Sequence, residues 1–431
     1  MISEEEITIL VPIMRPPDVT SVDVKAIKKI IDKLEEKIII KQVWVIFQNS
    51  KFKIQNSKNR QVIHFEDFKN AVEIIEKFQP KFILFDGELT IISLAFALAG
   101  KKKEIPTVGT FFIPEIKKAQ SRWIKNRIRM IFSKTAFTDT VIESELDESK
   151  AIKFLIREYS FLLKTIKKIN LNLFELVKFF ITYPRVQLFS KYHIAHHKIN
   201  EADLTLCSTY DWKVKLEESG FNNENLKVIG TPVYDDLFNK TKEMNFKHKN
   251  NEKIKILFCT ASMHEHGIWS KEVEDQLIKN TINKLNEFKN FQVSLKIHPI
   301  TSSIKEYEKL LNEVKFETKL YQKEDFLKLI KEYAIIIAYG PSSIVHECVL
   351  LGKPIILLQL IKEDLTELMY DENIIETCKD LNRISDIINN IQNKKEQNIL
   401  NHKYIKNTVG RFDGKCSERA INEILNIIKI N

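Results

Sequence analysis

The feature that most constrains this fold is the alternation of short apolar runs with helical periods along most of the chain. In the first half, EITILVPI (6–13) precedes a helical pattern over 23–38, which in turn precedes QVWVIF (42–47). Further on, KFILF (81–85) and PTVGTFF (106–112) are largely apolar. Apolar strands separated by helices are typical of a parallel sheet covered on both faces. The pattern therefore predicts a doubly wound α/β architecture.

The same alternation returns in the second half from IKILFCTAS (254–262) onward. Before it, the polar stretch FNKTKEMNFKHKNNEK (238–253) lacks a hydrophobic period, and we interpret it as a linker. A chain of 431 residues is too long for one typical core and suits two domains of roughly 150–200 residues. We predict a first domain over 1–237, a second over 254–410, and a terminal helix within 411–431.

Residues 117–199 interrupt this rhythm with long amphipathic patterns such as AIKFLIREYSFLLKTIKKI (151–169). Apolar residues there cover more than a narrow stripe, so the segment either packs on the first domain or presents a patch to lipid. Packing is the interpretation we favour. We therefore predict a helical insert in the first domain.

Positive charge is concentrated in one part of this chain, whose formal net charge is +9. The segment 101–134 combines ten Lys and Arg residues with two Glu, and it also carries Trp123 and several large aliphatic residues. The mixture suits a surface that meets an anionic membrane or substrate, although a solvated lysine-rich helix is the alternative. No recognisable aromatic and basic module supports nucleic-acid binding.

The start of the sequence, MISEEEITILVPI, is acidic and then strand-like, so we expect no signal peptide. The longest apolar runs, such as IISLAFALAG (91–100), fall short of the roughly 20 residues that a spanning helix needs. The five cysteines are scattered and lack metal-ligand spacing, which indicates reduced thiols. We expect a cytoplasmic protein that meets the inner membrane face only peripherally, through 101–134.

The stretch AYGPSSIVHECVLLGKPIILL (338–358) offers the best candidate ligand site. A buried strand ends at Gly340, Ser342 and Ser343 begin a helix, and Glu347 lies one turn further along the same face. The N–H groups at such a helix start favour an anion, and Glu347 can accept hydrogen bonds from ribose hydroxyls. Open α/β sheets bind ligands at the carboxyl ends of their strands. Simple N-capping by serine is the alternative.

Two histidines also follow predicted strands. His298, in KIHPI (296–300), is followed by proline, so we place it at the carboxyl end of a strand, where an imidazole can contact a pyrophosphate or a departing phosphate. A surface histidine is the alternative. For His266, in TASMHEHGIW (260–269), we predict a contact to donor phosphate or a place in a lid, and not a metal site.

In the first half, FDGEL (85–89) places Asp86 and Glu88 after a strand. A carboxylate there can act as the general base that deprotonates an acceptor hydroxyl, although an Asp-Gly turn is also ordinary loop chemistry. Arg15 follows the first strand and can meet a diphosphate with its fork of donors. HIAHH (193–197) lacks an obvious third ligand, so we predict no metal there.

Three segments, KIHP, YGPSSIVHECVLLGKPIILL and DGKCSERAINEIL, together resemble the second domain of nucleotide-sugar enzymes with the GT-B fold. Similar families are the glycerophosphotransferases that use CDP-glycerol, the capsule-polysaccharide transferases and the UDP-GlcNAc 2-epimerases. Residues 202–237 look like their interdomain strand and turn, 83–109 is more loosely similar, and 117–199 is not similar. The resemblance implies two Rossmann-like doubly wound domains that face a cleft, with a helical insert in the first.

The resemblance also implies roles for individual residues. Ser342 and Ser343 would meet phosphate, Glu347 the ribose, and His298 the diphosphate or departing group, while the turn at 413–414 would lie near the domain hinge. Such enzymes generally need no metal, so we expect neither a metal nor a cofactor. Epimerases of this group have an arginine-containing motif where this chain reads SMHEHG, and an acidic residue where it reads TFFIPE. These departures count against epimerisation.

Our main hypothesis is a metal-independent GT-B glycosyltransferase, or a polyol-phosphate transferase, that serves surface polysaccharide or glycolipid synthesis. It would move a group from a nucleotide-activated donor to a glycan or lipid-linked acceptor. Asp86, Glu88 and His298 are its candidate catalytic residues. One alternative is an enzyme similar to UDP-GlcNAc 2-epimerase, and another is a catalytically silent nucleotide-binding or membrane-docking scaffold.

Overall fold

A computed structural model describes most of both halves of the chain, namely residues 3–13, 17, 22–47, 56–86, 91–112, 148–171, 201–241, 253–264, 269–299, 302–340, 342–361, 375–393, 405 and 409–428. The chain divides into two compact units. The first contains the described residues of Met1–Pro114, Asp147–Asp236 and Ile405–Asn431, and the second contains those of Leu237–Tyr404.

A seven-stranded sheet forms the centre of the first unit. Its described strands are β1 (Ser3–Ile13), β2 (Ile38–Ile46), β3 (Arg60–His64), β4 (Phe82–Asp86), β5 (Thr107–Phe111), β6 (Leu204–Cys207) and β7 (Leu226–Val228). They lie in the order β3-β2-β1-β4-β5-β6-β7, and every neighbouring pair is parallel. The strand order therefore reverses between β1 and β4, as it does in a doubly wound sheet.

Helices cover both faces of this sheet. Those that the structure describes are α1 (Val22–Glu35), α2 (Ala71–Phe78), α3 (Ile91–Lys102), α4 (Glu148–Ile169), α5 (Tyr210–Glu218), α6 (Asp235–Thr241, whose last residues belong to the second unit) and α12 (Cys416–Ile428). One apolar cluster joins α1 and α12 to β1 and β2, and another joins α2, α3 and α4 to β4. The terminal helix thus belongs to the core of the first unit.

The second unit repeats the plan with six strands. They are β8 (Ile254–Cys259), β9 (Phe291–Lys296), β10 (Leu320–Tyr321), β11 (Ile335–Tyr339), β12 (Ile355–Leu358) and β13 (Glu376–Cys378) in the described part of the chain. Their order is β10-β9-β8-β11-β12-β13, again with parallel pairs throughout. The reversal falls between β8 and β11.

Where the structure describes the chain, four helices connect these strands and a fifth follows β13. They are α7 (Lys271–Asn286), α8 (Ile304–Glu313), α9 (Phe326–Leu329), α10 (Ser343–Leu351) and α11 (Ile384–Asn393). The central strands β8 and β11 are apolar and buried along most of their length, because helices cover both faces of a parallel sheet.

The predicted fold class of two doubly wound α/β domains is confirmed. Helix α4 lies within the predicted insert and packs on the first unit, as we favoured. The predicted linker begins with four helical residues, because α6 continues to Thr241, and most of its remainder lies outside the described residues. None of the helices described is long and apolar enough to cross a membrane.

Candidate functional site

The candidate site lies at the carboxyl edge of the second sheet, where the strand order reverses. Strand β8 is followed there by residues 260–264, β9 by His298, and β11 by Gly340 and then α10. In a parallel sheet all of these segments emerge at the same edge. This is the position at which doubly wound sheets bind ligands.

Ser342 is the N-cap residue of α10. Its backbone is extended, and its hydroxyl oxygen accepts a hydrogen bond from the N–H of Ile344 at 3.3 Å. A hydroxyl group that accepts in this way also has a hydrogen, so serine is chemically able to donate to an anion as well. The Ser343 side chain is exposed at the first position of the helix. The capping role and the anion-binding role are therefore compatible at this helix start.

Gly340 allows two loops of the site to approach closely. Its φ is +68°, and a Cβ atom there would lie 2.8 Å from the sulfur of Met263 and 3.0 Å from the Cβ of Ala261. A side chain at position 340 would therefore push apart the loop after β8 and the loop after β11. The glycine brings these two loops together beside the start of α10.

Glu347 lies four residues after Ser343 in α10 and is half-buried. It is close enough to act electrostatically on Lys296, the last residue of β9, and on the buried thiol of Cys259. Burial lowers the pKa of Lys296, whose Nζ donates to the carbonyl oxygen of Gln322 at 3.0 Å. Burial raises the pKa of Cys259 to about 12, so this thiol is not a nucleophile near neutral pH.

His298 is half-buried directly after β9. Gln322 holds the turn that follows it, since its side-chain amide donates to the carbonyl oxygens of Ser302 at 2.7 Å and of His298 at 3.5 Å. By contrast, His346 is buried within α10, and burial lowers its pKa to about 4, which keeps it neutral. Of these two histidines, His298 is the one placed to act at the sheet edge.

A buried carboxylate that sequence reasoning missed fixes the loop after β8. Glu274, in the first turn of α7, accepts hydrogen bonds from the N–H of His264 at 2.7 Å, the N–H of Met263 at 3.3 Å and the hydroxyl of Tyr339 at 2.6 Å. The ring of Trp269 stacks on Tyr339, with centroids 5.7 Å apart. Glu274 therefore links the backbone of one site loop to the last residue of β11.

Sequence could have suggested this link in one respect. Tyr339 ends an otherwise apolar strand, and a buried phenol needs a hydrogen-bond partner. The identity of that partner was not readable, because Glu274 is 65 residues away in the chain and is one of several acidic residues at the start of α7.

Four predicted site residues remain, and the structure describes one of them, Asp86. Asp86 is the last residue of β4, half-buried at the carboxyl edge of the first sheet, where its Cα pairs with that of Thr110. Arg15, Glu88 and His266 lie outside the described residues. No group of three or more potential metal ligands occurs among the residues described, and HIAHH (193–197) lies outside them.

Comparison with known proteins identifies a family. The family model described as UDP-N-acetylglucosamine 2-epimerase matches residues 196–425, which is a little more than half of the chain. The matched span includes β6 to β13 and the whole candidate site of the second unit. No curated protein matches the chain.

Solved structures share the fold at low identity. The UDP-GlcNAc 2-epimerase of Neisseria meningitidis, solved bound to UDP-GlcNAc, has a TM-score of 0.52 and 14% identity, and the match covers 97% of this chain and 100% of that one. The UDP-GlcNAc 2-epimerase of Methanocaldococcus jannaschii also has a TM-score of 0.52 and 14% identity, with 97% and 99% covered. The glycotransferase of kitacinnamycin has a TM-score of 0.51 and 9% identity, and the match covers 97% of this chain and 98% of that one.

These matches show a GT-B-like fold and confirm the family resemblance seen in the sequence. They support a transferase only at the level of the fold. The family match favours the alternative in our sequence interpretation, an epimerase, over the main hypothesis of a glycosyltransferase.

Proposed function

Since the chain belongs to the UDP-N-acetylglucosamine 2-epimerase family, we propose that it binds a UDP-sugar at the carboxyl edge of the second sheet and epimerises it at C2. The observation that carries this proposal is the extent of the family match, which includes every element that contributes to the candidate site of the second unit. UDP-N-acetylglucosamine is the proposed substrate.

The diphosphate is proposed to bind at the start of α10, where Ser342 and Ser343 supply hydroxyl donors at the positive end of the helix. Gly340 keeps the loop after β8 close beside this helix start, because a side chain there would meet Met263 and Ala261. Glu347, one turn into the helix, would accept hydrogen bonds from the ribose hydroxyls. His298 would donate a proton or hydrogen bond to the departing phosphate.

Inversion at C2 requires that the C2–H bond break, and this hydrogen is not acidic in the intact sugar. Loss of the diphosphate from C1 allows it to leave as a proton. A base takes the proton, the C–H electrons form the C1–C2 double bond, and the C1–O electrons leave with the diphosphate. Protonation of C2 from the opposite face and return of the diphosphate complete the change. Asp86 and Glu88 are the proposed bases.

A second candidate, transfer to a glycan or lipid-linked acceptor, rests on a specific observation. The segment after β8 reads SMHEHG, and the segment from the end of β5 onward reads TFFIPE; both depart from the epimerase pattern noted in the sequence. In that reaction the same diphosphate leaves, and the base deprotonates an acceptor hydroxyl. His266 and Arg15 are proposed as additional donor contacts in either case.

Incubation with UDP-GlcNAc alone distinguishes the two reactions. An epimerase forms UDP-ManNAc without any acceptor, and a transferase leaves the sugar configuration unchanged. We expect product formation in the presence of EDTA, because no step of the proposal uses a metal. Failure to form UDP-ManNAc, together with turnover after an acceptor is added, would replace the first candidate by the second.

Nucleotide binding is tested separately by thermal shift with UDP, CDP, GDP and CMP. A ligand at 100 times its Kd stabilises the folded protein by about 2.7 kcal/mol. We expect the shift with UDP to disappear when Ser342 and Ser343 are both replaced by alanine, and to persist in Thr281→Val, a control in α7. No shift with any nucleotide would leave the silent scaffold as the better explanation.

A further inference from the structure

Helix α4 lies on the first unit, and its inner face holds it there. Phe161, Leu162, Ile166 and Ile169 belong to the apolar cluster that also contains α2 and α3. The hydroxyl oxygen of Thr165 accepts a hydrogen bond from the first N–H of α2 at 3.0 Å. The orientation of α4 about its own axis is therefore fixed.

The opposite face of α4 is also apolar. Ile156, Tyr159 and Leu163 follow one another at helical spacing, and their exposed fractions are 61%, 40% and 48%. Lys164 and Lys167 are exposed along the same face, and an open depression of about 450 Å³ lies over these side chains. Contiguous exposed apolar patches on soluble proteins usually mark an interaction site.

The charge around this stripe indicates the kind of partner. A helix with exposed large apolar residues flanked by lysines is typical of helices that lie in the interface of an anionic membrane. Lys167 and Lys168 lie in the last turn of α4, and both are exposed. We propose that the outer face of α4 docks on an anionic lipid surface, with the apolar side chains at the acyl boundary and the lysines at the headgroups.

A second copy of the chain fits this face less well. Most dimers are two-fold symmetric, so the same patch would face itself across the interface. Lys164 and Lys167 of each copy would then meet the lysines of the other, and like charges in close proximity oppose association. An anionic surface neutralises these charges instead. The proposal goes beyond the proposed function, because nothing in the chemistry at C2 requires a membrane.

Vesicle sedimentation of the full chain tests the proposal. The probes are vesicles of phosphatidylcholine alone and of phosphatidylcholine with phosphatidylglycerol, at low and at high salt. We expect binding only to the anionic vesicles, with weaker binding at high salt because salt screens exposed charges. Leu163→Asp should weaken binding by about tenfold or more, since it removes apolar contact and adds a repelled charge.

A charge variant and matched controls make the test specific to this face. Lys164→Glu combined with Lys167→Glu should weaken binding by at least about 25-fold, given roughly fivefold for each lysine near an anionic surface. Lys25→Glu combined with Lys28→Glu has the same spacing on α1 of the same unit and should have a much smaller effect. Val214→Asp, at an apolar site on α5 that is 49% exposed, is the matched control for Leu163→Asp.

Three results would overturn the proposal. One is a wild-type chain that does not bind anionic vesicles. Another is that the α4 variants bind anionic vesicles as strongly as the control variants do, which would place the membrane contact elsewhere on the chain. The third is a change in oligomeric mass by light scattering in Leu163→Asp without a change in vesicle binding, which would mean that a second copy covers this face. Unchanged UDP-induced thermal shifts in the variants show that they are folded.

Discussion

Replacement of Glu274 by glutamine tests whether the loop after β8 is preorganised for nucleotide binding. In the wild type, one carboxylate oxygen serves the Tyr339 hydroxyl and the Met263 N–H, and the other serves the His264 N–H at 2.7 Å. Glutamine has nearly the same shape but only one acceptor oxygen. If that oxygen stays with Tyr339, the His264 N–H faces an NH2 group and loses its partner.

The expected loss of UDP affinity follows from that single lost hydrogen bond. A hydrogen bond to a charged group contributes about 1.5–3 kcal/mol. If the loop must be brought back to its wild-type position when a nucleotide binds, the whole of this free energy opposes binding. The Kd for UDP would then rise by between about tenfold and about 150-fold. Tyr339→Phe leaves both N–H contacts intact and should raise the Kd less.

Isothermal titration with UDP and urea unfolding should be measured on the same samples. Thr281→Val is the control, because Thr281 is buried in the same helix and its hydroxyl bonds only within that helix, to the carbonyl of Leu277. We expect Glu274→Gln to lose both affinity and stability, and the control to lose stability alone. A Kd for UDP within twofold of the wild type would refute the reasoning, since Glu274 would then serve only the core.

Two further predictions concern the first unit. Asp235 accepts hydrogen bonds from the first two N–H groups of α12, both at 2.8 Å; Asp235→Asn keeps one acceptor and should lower the free energy of unfolding by about 1–2 kcal/mol, as measured by urea denaturation. Burial raises the pKa of Glu158 from 4.5 to about 7. Between pH 4.5 and 7 the folded chain therefore keeps a proton on Glu158 that the unfolded chain releases. The free energy of unfolding consequently falls as the pH rises from 4.5 through 7. Glu158→Gln should reduce that decline by about 1–2 kcal/mol in urea unfolding at pH 5 and pH 8, and an unchanged decline would contradict it.

The central strands were predictable because burial on both faces makes them continuously apolar. The start of α10 at the two serines was also predicted, and the helix is found at Ser343–Leu351, where Gly352 ends it. Strands β3, β10 and β13 were not predicted. They lie at sheet edges and are short and mixed in polarity, so pairing with a neighbouring strand, and not their own pattern, makes them strands.

One helical boundary was also misjudged for a local reason. The helical pattern of FEDFKNAVEIIEKFQ (65–79) predicts a single helix. Instead the chain turns at 68–70, and Asn70 caps α2, accepting a hydrogen bond from the N–H of Glu73 at 3.0 Å. Asparagine before an apolar period is a helix-start signal, and it was overlooked. Contacts between distant residues are a harder case, and the link of Glu274 to Tyr339 depends on which strands are neighbours.

The residues proposed to decide between the two reactions belong to the first unit. Epimerisation and transfer both break the bond between C1 and the diphosphate, so the proposed roles of Ser342, Ser343 and His298 would be the same in either reaction. The reactions differ in which proton the base removes, from C2 or from an acceptor hydroxyl. Asp86, one of the proposed bases, ends β4 next to the reversal of the first sheet, and doubly wound sheets bind ligands at such positions. Asp86→Asn should therefore abolish turnover and leave UDP binding intact, whereas replacement of the two serines should abolish both.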